Sequence, residues 1–297
     1  MNKITKKIAI FCMAIAKLAV GIACFVYTFW QVTDPALTVP KTILNSAVAL
    51  DTPQKINFAQ YFQQSGVEGS IAIYDAQSDR TYQYNQQRNE KAVLPASTFK
   101  ILNSLISLET EAIDNELAIL TWDGIYRPTV AEWNRDLNMK EAFRLSAVWF
   151  YQVLARRVGH EKMQAYVSKS NYGNQNIGSP EDIDTFWLKG KLRISPLEQI
   201  QFLRRLYNNN LPFSERSLAI TKDIMIVEQT PDYTIRAKTG LIGFEDKTPP
   251  QIGWYVGYLE KGKDVYFFAT NIDVREDKDL AARIDLTRRC FEELELL

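Results

Sequence analysis

The sequence holds a single histidine, His160, and only three cysteines in 297 residues. Two of the cysteines, Cys12 and Cys24, fall in an apolar N-terminal stretch, which leaves Cys290 alone in the body. A disulfide needs two cysteines, and a structural zinc site needs about four His/Cys-type ligands. Neither can be assembled within the body of one chain, and no metal is expected. A hydrolytic mechanism cannot rest on a His–Asp pair unless His160 is its base, and the position after Gly159 near a helix start fits a plain polar role better. Excess charge is missing too: Lys+Arg and Asp+Glu both number 35, for a formal net charge of +0. Without a basic excess to neutralise phosphates, nucleic acid is not an expected partner. Internal repeats and low-complexity tracts are also lacking.

At the N-terminus, Lys3, Lys6 and Lys7 precede the mostly apolar run Ile8 to Trp30, whose only charge is Lys17. Positive residues ahead of an apolar core read as a signal peptide or an N-terminal membrane anchor over 1–31. The run approaches the length of about 20 residues that spans a bilayer, although a mid-run lysine is costly there. Ala47-Val48-Ala49 resembles a small-residue cleavage site but lies far from the apolar core, and Gly21 is an odd residue three places before a lipidated Cys24. An exported, periplasmic protein is expected, with leader cleavage and membrane anchoring both open. Pro35, Pro40 and Pro53 mark 32–54 as a linker, which leaves 55–297 as the body.

The body opens with two β-prone runs, Ser70–Asp75 and Arg80–Asn85, spaced as a hairpin. Apolar spacing predicts helices over Thr98–Leu108, Val148–Val158, Glu161–Val167, Pro196–Tyr207, Ser214–Val227 and Lys278–Leu297. Strand-like runs return at Tyr233–Lys238, Gly253–Leu259 and Val265–Ile272. Strands at both ends with helices between predict an α+β fold: an antiparallel sheet formed from both ends of the chain, with a helical lobe over about 96–210 inserted. Alternating βαβ units are absent, which argues against a doubly wound parallel sheet.

Ser97 precedes Lys100 by three positions, just after Pro95 and at the start of a helical pattern. Residues three apart share a helix face, so hydroxyl and amine can meet without long-range help. A helix start also offers free N–H groups and a positive dipole end to a developing oxyanion. Alone, this spacing is equally that of an N-cap serine and a solvated lysine. Lys238-Thr239-Gly240, at the end of a predicted strand, adds a second motif. A lysine on an edge strand can place charge beside the nucleophile, Thr239 can bond a substrate carboxylate, and Gly240 permits close backbone approach. Ser-x-x-Lys with Lys-Thr-Gly is a signature of serine β-lactamases and penicillin-binding proteins.

Over roughly Phe58 to Phe291 the chain resembles the class D (oxacillinase-type) serine β-lactamases. Five segments in family order carry the resemblance: Pro95-Ala96-Ser97-Thr98-Phe99-Lys100, Ser146-Ala147-Val148, Tyr172-Gly173-Asn174, Phe186-Trp187-Leu188 with Gly190, and Lys238-Thr239-Gly240. The resemblance implies the fold of the penicillin-binding-protein transpeptidases and hydrolysis of β-lactams, small-molecule substrates, as a means of antibiotic resistance. It implies that Ser97 attacks the lactam carbonyl and that Lys100, modified to N6-carboxylysine, is the general base. No cofactor is implied beyond the carbon dioxide or bicarbonate that carboxylates Lys100. Ser146 would pass a proton to the departing nitrogen with electrostatic support from Lys238. The backbone N–H groups of Ser97 and Leu241 would hold the oxyanion, while Thr239, Gly240 and Arg283 would bind substrate. Arg275 and Arg288 compete with Arg283 for the carboxylate.

The resemblance further implies that Trp187 steadies the carbamate and that Val148 and Leu188 gate water to it, although apolar residues default to core. Trp133 and Tyr126 are expected either to wall the cleft or to pack, and Tyr172 to act as scaffold. Leu241 stands where many members carry a bulkier residue, and Phe244-Glu245-Asp246-Lys247 lengthens the following loop. Two other readings share the motifs: a β-lactam-sensing receptor domain, and a cell-wall D,D-peptidase. The chain has one candidate span and no His-Glu-x-x-His motif, against the first; Tyr-Gly-Asn and Phe-Trp-Leu count against the second. Oligomeric state is open.

Overall fold

In a computed structural model of the protein, residues 56–243 and 250–297 are described. The expected leader (1–31), linker (32–54) and most of the loop after Gly243 lie outside them. The first hairpin forms where the sequence places it. Strand β1 (Gly69–Asp75) is buried along its whole length and pairs with β2 (Arg80–Tyr84). Asp75 stabilises the turn by accepting from the backbone of Gln77 (2.8 Å) and from Ser78 Oγ (2.6 Å), a local side-chain bond that favours a turn over continued strand.

The other strands come from the C-terminal part: β5 (Ile226–Gln229), β6 (Tyr233–Ile242), β7 (Gln251–Lys261) and β8 (Asp264–Val274). They join the hairpin in one antiparallel sheet of order β2-β1-β8-β7-β6-β5, with β1 on β8 as the seam between the two ends of the chain. Each face of the sheet buries its own core. One is closed by α1 (Ala59–Ser65) and the C-terminal α9 (Asp279–Glu293), around Ile71, Ile73, Phe268, Leu286 and Phe291. The other lies under the helical lobe, around Ala72, Trp254, Val256 and Phe267.

At the centre of that lobe runs α3 (Lys100–Glu109), buried at every residue from Lys100 to Leu108. A helix enclosed on all sides needs apolar or self-satisfied polar residues all round. Asn103, Ser104 and Ser107 meet this demand by bonding Tyr151 and each other. Around it sit α2 (Gln86–Glu90), α4 (Met139–Arg144), α5 (Val148–Val158), α6 (His160–Lys169), α7 (Pro196–Tyr207) and α8 (Glu215–Ile224). A two-stranded ribbon, β3 (Ile119–Leu120) with β4 (Leu137–Asn138), borders them. The start of α7 shows its cause plainly. Ser195 and Glu198 form a capping box and Pro196 occupies the first turn, where a missing N–H costs nothing.

Two expectations change. The helix read over Ser214–Val227 ends at Ile224, and Ile226–Gln229 turns into the edge strand β5. The switch follows from a tertiary bond, Ala237 N–H to Met225 O at 2.8 Å, and from β-branched Ile226 and Val227, which suit a half-exposed strand. The helical stretch therefore runs past the expected limit near residue 210, by one more helix. Lys238-Thr239-Gly240 lies inside β6 and not at its end, and β6 is the second strand from the edge. Its partner β5 pairs no further along than Arg236, so the Lys238–Ile242 half of β6 has an open flank. There it packs on the Ser97 turn.

Candidate active site

Ser97 sits on a single 3-10 turn, Ala96–Phe99, that leads directly into α3. The turn is held from four sides. Ala96 N–H donates to Trp187 O (3.0 Å), Trp254 Nε1 to Leu94 O (2.9 Å), Thr98 Oγ1 to Pro95 O (2.7 Å), and Gln199 Nε2 to Thr98 Oγ1 (2.8 Å). Ala96 is left at φ +48°, a left-handed conformation that a non-glycine residue adopts only when its surroundings over-determine it. Ser97 itself stays half-exposed and lines the cleft.

Lys100 is fully buried, and its Nζ donates to Ser97 Oγ at 2.7 Å. Among the described residues no carboxylate pairs with it; its other neighbour is the Tyr151 ring, with Nζ 5.5 Å from the centroid. Burial, with the nearby charge of Lys238 second, pushes the amine well below the ordinary lysine range. An aromatic cluster packs on Phe99, the residue before Lys100. Trp187, stacked 5.5 Å from Phe99 and edge-on to Phe186 at 4.9 Å, is fully buried. Its indole Nε1 has no partner among the described residues. A buried donor of this kind is costly to leave unmade.

Lys238 reaches the same place from β6. It is 4% exposed, donates to Thr239 O (3.1 Å) and lies 5.6 Å from the Phe143 ring centroid. Burial first and the Arg283 guanidinium second bring its pKa down to about 7. Gly240 is needed for packing: a Cβ there would stand 3.2 Å from Pro95 O and 3.3 Å from Trp254 Cβ. Arg283, on α9, crosses under the sheet edge to donate to Gly240 O at 2.9 Å. Its Nε has no partner among the described residues, and burial lowers its pKa to about 10. Of the competing arginines, Arg275 is engaged by Glu68 and Arg288 by Glu228, which leaves Arg283 as the one that lines the cleft.

A cavity of about 260 Å³ unites Ser97, Trp133, Ser146, Val148, Leu188, Thr239, Gly240, Leu241 and Arg283. Ser146 enters it from the turn after α4 with φ +57°. Trp133 serves both expected roles. It is 7% exposed and donates to Leu145 O (3.0 Å), yet also walls the cavity. Tyr126 is 69% exposed and does not line the cavity. Tyr172 is scaffold: fully buried, with its phenol within 3.4 Å of Gln199 Nε2 and its pKa pushed up by burial. His160 begins α6 and contacts Gly178 O at 3.0 Å, away from the cleft.

Lys189, Gly243 and Leu280 also line the cavity and were not singled out in the sequence. Leu280 was the most legible of these, since it precedes Arg283 by three positions and so shares its helix face. Phe143 and Tyr151, which flank the two lysines, carry no local signal; only packing brings them there.

The penicillin-binding-protein transpeptidase domain family matches residues 52–292. The β-lactamase OXA-5 of Pseudomonas aeruginosa is 39% identical over 245 residues, 82% of this chain and 91% of its own. Among solved structures, a class D β-lactamase from Nostoc is 54% identical with a TM-score of 0.78, covering 82% of this chain and all of the other. One from Sebaldella termitidis is 43% identical with a TM-score of 0.76, covering 82% and 97%.

Proposed function

The chain belongs to the class D β-lactamases, hydrolases of β-lactams, and from that premise we propose that it opens the lactam ring through an acyl-enzyme on Ser97, with carboxylated Lys100 as general base. The observation that carries this reading is the Lys100 environment: a buried amine 2.7 Å from the nucleophile with no carboxylate partner among the described residues. It adjoins Phe99, on which Trp187 stacks with a buried indole N–H that no described residue accepts. Only a neutral amine adds carbon dioxide, and burial favours the neutral form. The pocket therefore fits the adduct, with Trp187 Nε1 as its donor and Val148 and Leu188 shielding it. When formed, the carbamate supplies a carboxylate-like proton acceptor in a chain with one histidine.

Ser97 Oγ gives up its proton and attacks the lactam carbonyl carbon, and the N–H groups of Ser97 and Leu241 receive the oxyanion. As the C–N bond breaks, the ring nitrogen takes a proton by way of Ser146, supported by Lys238. Water then attacks the Ser97 ester and returns the hydroxyl, releasing the ring-opened acid. Thr239 and Arg283 hold the substrate carboxylate, and Arg283, whose Nε no described residue engages, is suited to this. Export to the periplasm, through the N-terminal segment, belongs to the same proposal; cell fractionation tests it.

The test is penicillin turnover with and without added bicarbonate at mildly acidic pH. Multiple turnovers that bicarbonate enhances are expected. Stoichiometric acylation without turnover would instead indicate a sensor, and comparable turnover of a D-Ala-D-Ala peptide would indicate a cell-wall peptidase. Carbon-13 carbon dioxide labelling read by NMR should show a carbamate on Lys100.

A further inference from the structure

A second cavity, of about 470 Å³, opens on the helical-lobe side of the sheet. Asn85, Gln87, Arg88 and Lys91 line it from α2 and its ends, Asn271 and Asp273 from β8, and Val93, Pro250 and Ile252 complete the wall. None of these residues belongs to the catalytic cleft.

The Arg88 guanidinium is fixed here. Its Nε donates to Asn271 Oδ1 and its Nη2 to Asp273 Oδ1, both at 2.7 Å. Its Nη1 has no partner among the described residues, nor does the Lys91 ammonium. Asn271 is 3% exposed, and with its oxygen taken by Arg88 its Nδ2 is left without an acceptor. The wall therefore carries three donors that no described residue engages, of which Asn271 Nδ2 is buried, while Arg88 is half-buried and Lys91 exposed to solvent. Formal charge decides what suits them: Arg88 and Lys91 against Asp273 leave a single positive charge, which matches a monoanion better than a dianion. Of the remaining wall, Asn85 and Gln87 are neutral and polar, and Val93, Pro250 and Ile252 form its apolar side.

We propose that this cavity binds a small amphipathic carboxylate, its head on Arg88 Nη1 and the Lys91 ammonium and its short hydrocarbon tail against Val93, Pro250 and Ile252. A guanidinium already held in place loses little rotamer freedom on binding, which favours the fork-shaped recognition of a carboxylate. Val93 is bridged to Ile194, and the next carbonyl, that of Leu94, accepts from Trp254 at 2.9 Å. The cavity thus abuts the segment that leads to the Ser97 turn.

The test is an NMR titration of the protein with butyrate, with butyramide as the uncharged control. Butyrate should move the Arg88 Nε–H and Val93 methyl signals saturably, and butyramide should not. Lys91→Gln, an exposed substitution outside the catalytic machinery, should weaken butyrate about tenfold, as loss of one charge-assisted bond does, while penicillin turnover stays at the wild-type rate. Val148 and Leu188 signals report any binding in the catalytic cleft separately. Equal response to butyrate and butyramide, an unchanged affinity in Lys91→Gln, or shifts confined to the catalytic cleft would each overturn the assignment.

Discussion

Trp187→Phe should leave the fold nearly as stable and weaken the chemistry. The indole Nε1 is buried with no acceptor among the described residues, and a donor in that condition costs about 1–3 kcal/mol. Phenylalanine keeps a ring against Phe99 and Phe186 but removes the donor and leaves a small void, which costs about 1–2 kcal/mol by the usual cavity penalty. In buffer stripped of carbon dioxide these nearly cancel, and urea unfolding should shift by no more than about 1 kcal/mol. With bicarbonate present, the wild type gains a hydrogen bond from Nε1 to a charged acceptor, worth about 1.5–3 kcal/mol, that the variant cannot make. That difference corresponds to roughly 10–100-fold weaker carboxylation. Carbon-13 carbamate titrations should show it directly, and turnover should recover in the variant only at much higher bicarbonate. Equal destabilisation in both buffers, with an unchanged bicarbonate requirement, would reduce Trp187 to a packing residue and refute the argument.

Lys238 has a folded pKa of about 7 against an ordinary value of 10.5, so between these pH values the unfolded chain binds more protons than the folded one. Its contribution to stability is absent below about pH 7 and should grow with pH across that window, by roughly 1.4 kcal/mol per unit. Lys238→Met removes the slope, so a wild-type-minus-variant stability difference that stays flat from pH 7 to 10 would contradict the assigned burial cost. Arg283→Ala should raise KM about 10–100-fold for carboxylate-bearing penicillins, by loss of a charge-assisted contact, and much less for a methyl ester. It should also move the Lys238 titration upward, because the Arg283 charge is the second cause of its depression; lysine-selective NMR reads that shift. Gly173 has φ +52°, and a Cβ there would overlap the Arg193 carbonyl oxygen. Gly173→Ala should cost about 3 kcal/mol in urea unfolding, with the wild-type value excluding that strain.

Local pattern carries far in this chain. The hairpin at Ser70–Asn85, the α7 start at Ser195-Pro196 and the Ser97–Lys100 spacing are all short-range features, set by turn chemistry, capping and helix periodicity. They are legible because their causes lie within a few residues of one another. The helix boundary near Ile224 was not, since a bond from Ala237 decides it, and local periodicity holds no trace of a partner strand. The same holds for Leu280, Phe143 and Tyr151, which reach the site through packing alone. By itself the sequence determined which residues could do chemistry, and its single histidine and scarce cysteines gave no ground to expect a zinc site or a His–Asp pair in the body. Only the tertiary structure decided that Lys100 would lie fully buried against Ser97, with Lys238 and Arg283 converging from β6 and α9. Burial and distance are properties of the assembled fold, and they disfavour the charged form of a lysine that local sequence alone would leave solvated.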